Sequence, residues 1–236
     1  MTSISLYMSH PLDLWGEFLW QVGYALCHQI PVRSLFIGGY QLPVCARDTG
    51  TYLGFGIVFI YYVLGRRWRR AKLPDLAVLA VVMAGFALFA FDALSSYLGF
   101  RETTNELRLV SGLAMGLGAG VMLLTLLSFL EKGDLERRTY AWKDLLILIP
   151  TLVVAFAAVT TDLGVWWYYV ISTLVIAFLI LMLLSIFFNL SWILLETKAW
   201  AQNRRVVFAI SVIAVILILL VMWYFHHLTE GMITQT

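Results

Sequence analysis

Two cysteines, a histidine and an aspartate lie close together near the start of the chain. Cys27 and His28 are adjacent, and Cys45 and Asp48 follow a stretch that contains glycine and proline. Zinc accepts thiolate, imidazole and carboxylate ligands in a tetrahedral site, so these four residues are candidate ligands and His28 is also a candidate catalytic group. The same cysteines predict a disulfide if they face an oxidising compartment, where closing this loop would stabilise the fold by about 3 kcal/mol. Both interpretations stay open.

A second polar segment begins at Asp92, an ionisable residue inside an otherwise apolar run. A buried carboxylate is costly in a membrane and marks a candidate functional group, here a general base or a partner of the metal ligands. Guanidinium groups near a helix N-terminus suit a phosphate or carboxylate. The candidate substrate-binding residues are Arg33, Arg47, Arg101, Asn105 and Arg108. Alternatively, Asp92 forms an ion pair with Arg101 or Arg108 that joins two helices.

The composition identifies the kind of fold that positions these residues. Of the 236 residues, 61% are hydrophobic and 13% are charged, with a mean hydropathy of +0.87. Soluble domains have about 45–50% apolar and about 25% charged residues, which excludes a soluble enzyme, a disordered tail and a coiled coil. The net charge of +2 argues against a nucleic-acid partner. The chain is therefore expected to be a polytopic membrane protein.

The apolar runs predict an all-α fold in a single domain over residues 1–236. A helix that crosses the bilayer needs about 20 residues, and the runs indicate six spans. A further helix over 12–26 carries polar residues on one face and is either interfacial or a seventh span. The segment 27–50 is predicted to be a loop, and 51–225 a six-helix bundle. The six spans are 51–64, 75–97, 107–130, 145–159, 165–195 and 206–225.

Basic residues predict the orientation. The loops after the first, third and fifth spans hold twelve of the sixteen Lys and Arg residues, as expected for the cytoplasmic side. This places the 27–50 segment, the segment from Asp92 to Arg108 and the C-terminus outside the cytoplasmic membrane. The four remaining arginines are Arg33, Arg47, Arg101 and Arg108, so the two polar segments share one membrane face.

Small residues predict close helix packing beneath these polar segments. Gly112, Gly116 and Gly120 repeat at a spacing of four along the third span. Such a face lets two helices approach closely. We expect the third span to pack tightly against the first or the second.

The first half of the chain resembles a family of uncharacterised prokaryotic multipass membrane proteins, domain of unknown function 2085. The resemblance is carried by Cys27-His28-Gln29-x-Pro31-x-Arg33-Ser34 and by Pro43-x-Cys45-x-Arg47-Asp48-Thr49-Gly50-x-Tyr52-x-Gly54. Phe91-Asp92 and the stretch from Arg101 to Gly112 are also similar to that family. The resemblance implies a multipass membrane protein and supplies no activity.

Two functions are compatible with these residues. The first is an outward-facing membrane enzyme, a metal-dependent hydrolase or transferase that uses zinc and acts on a lipid or lipid-linked anionic substrate. The alternative is a non-enzymatic small subunit or assembly factor of a larger membrane complex, with a loop fixed by a Cys27–Cys45 disulfide. Membrane lipids are expected partners in both cases.

Overall fold

The computed structural model describes residues 10, 11, 13–195 and 203–233. Leu12, the first residue of the predicted N-terminal helix, and Lys198, in one of the predicted basic loops, lie outside them. Within these ranges the chain forms seven α-helices and four short strands. The helices are α1 (Leu14–Tyr24), α2 (Ala46–Leu64), α3 (Leu76–Tyr97), α4 (Asn105–Leu130), α5 (Leu145–Thr160), α6 (Val165–Leu195) and α7 (Arg204–Ile233). The strands are β1 (Ser34–Ile37), β2 (Tyr40–Cys45), β3 (Arg70–Lys72) and β4 (Asp134–Arg138).

Five of the helices are long and apolar enough to cross a membrane, namely α3, α4, α5 with its preceding turn, α6 and α7. The remaining predicted span, the first one at 51–64, corresponds to α2, which starts five residues earlier than expected and carries Arg47 and Asp48 in its first turn. Since α1 has 11 residues, it extends for about 16 Å and is too short to cross a bilayer core of about 30 Å. The protein is thus a mainly helical membrane protein with five clear candidate spans.

The segment 27–50 is not the loop that its glycines and prolines predicted. β1 and β2 form an antiparallel hairpin in which Ile37 pairs with Tyr40. The two residues between them, Gly38 and Gly39, both have positive φ, at 59° and 83°. A two-residue turn of this kind matches the natural twist of two paired strands, and glycine adopts it without strain. The Gly-Gly pair was therefore a hairpin signal, and the prediction of a loop throughout 27–50 was wrong.

Helices α2 and α4 pack closely through glycines on both partners. A Cβ at Gly112 would overlap the carbonyl oxygen of Arg47, and one at Gly116 would overlap the carbonyl of Thr51. From the other side, Gly50 and Gly54 of α2 meet the backbone of α4 in the same way. The structure thus pairs the predicted glycine face with the first predicted span. This contact fixes the first turn of α2, and with it Arg47, against α4.

The two ends of the bundle differ in character. The hairpin, the end of α3 and the start of α4 form one end, here called the hairpin end, where the Gly38 amide donates to the carboxylate of Asp162 between α5 and α6 at 2.9 Å. The opposite end, here called the basic end, contains β3 and β4, which pair in parallel. Because α2 begins at the first end and leads into β3 at the second, it traverses the whole bundle.

A buried ion pair between Arg67 and Asp144 lies at the basic end. The guanidinium of Arg67 donates to both oxygens of Asp144, at 2.7 and 2.8 Å, and to the carbonyl of Thr139 at 2.9 Å. The hydroxyl of Tyr61 donates to Asp144 at 2.6 Å. Bidentate geometry with further hydrogen bonds makes this a rigid link between α2 and the turn that precedes α5.

Candidate functional site

Asp92 is the centre of a hydrogen-bond network at the hairpin end. Its side chain is fully buried, and Arg47 donates to one oxygen through Nε at 3.1 Å and through Nη2 at 2.6 Å. Arg101 donates to the other oxygen at 2.9 Å, and the hydroxyl of Ser111 donates to the first at 3.1 Å. The carboxylate therefore joins α2, α4 and the loop after α3 through charge-assisted bonds.

Asp92 forms ion pairs with two arginines, Arg47 and Arg101. The pair with Arg101 was predicted from the sequence, and the pair with Arg47 was not. Arg108 instead donates to the side chain of Asn105 at 3.0 Å, and Asn105 donates to the carbonyl oxygen of Ser34 in the hairpin at 3.0 Å. Asn105 thus links α4 to β1 and holds Arg108 in place.

A cavity of about 250 Å³ lies beside this network. Its cationic lining consists of Arg33, Arg47 and Arg108, and the rest of its lining comes from the last turns of α3. Arg108 is 9% exposed, and neither it nor Arg33 forms an ion pair with any described residue. Since the carboxylate of Asp92 is already shared by Arg47 and Arg101, positive charge exceeds negative charge at the cavity. A buried cation without a counter-charge favours binding of an anion.

The rim of the cavity is apolar and open. Leu94 is 60% exposed and Tyr97 is 86% exposed, both at the end of α3. Aromatic side chains with a polar tip are typical of the membrane–water interface. The cavity therefore lies where a predicted span ends, with cationic walls and an apolar edge.

A second cluster adjoins the cavity at the N-terminus of α2. Cys27, Cys45 and Asp48 place their ligand atoms within 4.8 Å of one another. The Cys45 thiol donates to the carboxylate of Asp48 at 3.2 Å, and the Cys45 amide donates to the sulfur of Cys27 at 3.1 Å. Both cysteines are free thiols in the structure, so the predicted disulfide is not formed there.

The two thiols differ in acidity. The hydrogen bond from Cys45 lowers the pKa of the Cys27 thiol, whereas the same contact, together with burial, raises the pKa of the Cys45 thiol. The first proton is therefore lost from Cys27. The hydrogen bond from the backbone N–H of Cys45 and the nearby N-terminus of α2 both stabilise a thiolate at Cys27.

His28 does not join this cluster. Its side chain is exposed, and its ring contacts the ring of His226 in α7 with 4.4 Å between centroids. The structure thus brings together three of the four predicted metal ligands and directs the histidine toward the end of another helix. Adjacent residues rarely turn their side chains to one point, which accounts for the separation of Cys27 and His28.

Sequence reasoning missed three polar residues that organise this region. The Gln29 amide donates to the carbonyls of Trp20 and Pro43, both at 2.9 Å, which ties the end of α1 to β2. Gln41 donates to the carbonyl of Gln29 at 2.7 Å. Ser111, the third, lies three residues after Arg108, and that helical spacing was the available signal for its contact with Asp92.

Comparisons with known proteins match the part of the chain that contains both clusters. A family model for predicted membrane proteins, DUF2085, matches residues 27–122, a segment that contains the hairpin, both clusters and α2 and α3. An uncharacterized protein of Methanocaldococcus jannaschii is 35% identical over 113 residues, which cover 47% of this chain and 70% of that protein. The chain belongs to the DUF2085 family.

A second relative leads to the same family. An uncharacterized protein of Methanothermobacter thermautotrophicus is 35% identical over 97 residues, covering 41% of this chain and 83% of that protein. No solved structure matches the chain. The DUF2085 match begins at Cys27 and includes every predicted site residue, while α5, α6 and α7 lie beyond it.

Proposed function

We propose that this DUF2085 protein is a membrane enzyme that holds the anionic headgroup of a lipid or lipid-linked substrate at the hairpin end, for hydrolysis or group transfer. The observation that carries the proposal is the cavity lined by Arg33, Arg47 and Arg108. Arginine presents forked donors that match a phosphate or carboxylate, and here a nearly buried guanidinium has no carboxylate of its own among the described residues.

The size and rim of the cavity favour a headgroup over a whole molecule. Pockets that enclose a drug-sized ligand measure about 300–1,000 Å³, and this cavity of about 250 Å³ is smaller. A bound phosphate would contact the arginines, while acyl chains would leave past Leu94 and Tyr97 toward the bilayer. In this proposal the hairpin end faces away from the cytoplasm, because the opposite end carries most of the basic residues.

Asp92 acts in this proposal as a positioning residue. Its carboxylate accepts four hydrogen bonds and is fully buried, so it orients Arg47 and Arg101 rather than taking a proton from a substrate. The network fixes Arg47 at the cavity wall before any ligand binds. Such pre-organisation reduces the entropy lost on binding.

Native mass spectrometry of the detergent-solubilised protein tests this function. We expect the protein to retain phosphatidylglycerol in preference to phosphatidylcholine after collisional removal of loosely bound lipid. Arg33→Gln should weaken that preference without disturbing the fold, because Arg33 is exposed and unpaired within the described chain. Arg108→Gln should weaken it further.

The matched control is Arg137→Gln at the basic end, where the side chain of Arg137 is 73% exposed. It removes the same charge far from the cavity and should leave lipid retention unchanged. Equal retention of both lipids, or an equal loss in the Arg33 and Arg137 variants, would contradict the proposal.

A further inference from the structure

We infer that Cys27, Cys45 and Asp48 form a three-ligand zinc site at the N-terminus of α2. The three residues come from different elements, since Cys27 follows α1, Cys45 ends β2 and Asp48 lies in the first turn of α2. Sites assembled from separate elements are held by the fold rather than by one flexible loop.

The distances suit a tetrahedral metal. Zinc binds sulfur at about 2.3 Å and carboxylate oxygen at about 2.0–2.2 Å, so two sulfur ligands lie about 3.8 Å apart. The ligand atoms of Cys27, Cys45 and Asp48 already lie within 4.8 Å of one another. A side-chain adjustment of less than the length of one bond brings them to coordination distance.

Two hydrogen bonds hold the three ligand side chains close to one another. The amide of Cys45 donates to the sulfur of Cys27, and the thiol of Cys45 donates to the carboxylate of Asp48. Zinc binding would release the thiol protons of both Cys27 and Cys45 to solvent, and the two thiolates and the carboxylate would then be its ligands. The glutamines that join α1 to the hairpin, Gln29 and Gln41, hold the backbone on either side of the site.

The donor set indicates which metal binds and how. Thiolate ligands favour zinc over magnesium and calcium, which prefer oxygen ligands alone. Structural zinc sites have four protein ligands, whereas catalytic sites have three and leave one position for water or substrate. With His28 directed toward His226, the described part of the chain supplies three ligands, as in sites of the second type.

The site shares the first turn of α2 with one wall of the cavity. Arg47 and Asp48 are consecutive residues in the first turn of α2, and Arg47 lines the cavity while Asp48 belongs to the cluster. A bound zinc would polarise an oxygen of the substrate or its attacking water. This catalytic use rests on the proposed function, but zinc binding itself does not and is measured without any lipid.

Zinc content and thiol accessibility of the purified full-length protein test the inference. We expect about one zinc per chain, and thiols that react with a disulfide reagent only after a chelator has removed the metal. Cobalt(II) in place of zinc should give the intense visible bands of a tetrahedral site and a near-ultraviolet thiolate-to-cobalt band. Asp48→Asn and Cys45→Ser should each lose most of the metal, while His28→Ala keeps it.

Two results would overturn the inference. One is a Cys27–Cys45 disulfide in protein isolated without reductant, shown by the lack of free thiols under denaturing conditions. The other is a reduced protein that takes up no zinc, or that loses zinc in the His28→Ala variant as readily as in the Asp48→Asn variant. Retention of phosphatidylglycerol by the metal-free protein is measured separately. If the lipid is retained while zinc does not bind, the zinc site is refuted and the proposed headgroup binding is not.

Discussion

The buried carboxylate of Asp92 is the counter-charge of both Arg47 and Arg101, so its removal should give a measurable loss of stability. In Asp92→Asn the shape is kept, but Arg47 and Arg101 lose their counter-charge and the new amide presents N–H groups to other donors. Breaking a buried ion pair costs about 3–5 kcal/mol. The Arg47 and Arg101 side chains are 21% and 34% exposed, so water screens them in part and we expect the lower end of that range.

The expected change is large enough for a thermal assay. For a chain of this size a loss of about 3 kcal/mol lowers Tm by about 6–12 °C. Unfolding is followed by tryptophan fluorescence in detergent at one fixed heating rate, since membrane proteins often unfold irreversibly. The matched control is Glu102→Gln, an exposed carboxylate in the loop after α3, which should shift Tm by no more than about 2 °C.

The same variant also tests the anion cavity. Asp92 also holds Arg47 at the cavity wall, so an anion should bind the Asp92→Asn variant less tightly than the parent. Phosphatidylglycerol at 100 times its Kd stabilises a protein by about 2.7 kcal/mol, and weaker binding in the variant reduces this effect. We therefore expect this lipid to raise the Tm of Asp92→Asn less than that of the parent. A variant with the Tm of the parent, or one that the lipid stabilises as much as the parent, would refute this reasoning.

Two further predictions concern the packing that supports the site. Gly112→Ala should lower the stability of the protein by about 1–3 kcal/mol, because the new methyl group meets the backbone of α2. The helix propensity of alanine alone would raise Tm. A rise in Tm would therefore show that α2 and α4 are farther apart than in the structure. Asp144→Asn should lower Tm by about as much as Asp92→Asn does, because Arg67 loses a buried bidentate partner. The control Glu136→Gln, on the exposed strand β4, should leave Tm unchanged. Equal Tm values for Asp144→Asn and Glu136→Gln would contradict the role assigned to the basic end.

The helices were the most predictable part of the fold. Long apolar runs gave the starts and ends of α3 to α6 to within two residues, because the bilayer demands that length and composition. The start of α2 was missed because the prolines and glycines of the 27–50 segment predicted a loop that continued to the first apolar run. The contact of α2 with the glycines of α4 sets where the helix lies in the structure.

The site residues were predictable as a set but not as pairs. The sequence predicted that the arginines, Asp92 and the cysteines share one membrane face. The structure joins Asp92 to Arg47 and Arg101 in one network and the cysteines to Asp48 in the other. The sequence did not reveal that Arg47 would reach Asp92 across 45 positions, since that contact depends on how α2 packs against α4. Nor did it separate His28 from Cys27, because the direction of two adjacent side chains depends on the local backbone.

The position of a lipid phosphate in an experimental structure tests directly whether the cavity at the hairpin end binds an anionic headgroup. The protein would be determined by cryo-electron microscopy in nanodiscs that contain phosphatidylglycerol. We expect phosphate density between Arg33, Arg47 and Arg108, within hydrogen-bond distance of at least two guanidinium groups. An empty cavity, with ordered headgroups bound elsewhere on the same molecule, would contradict it.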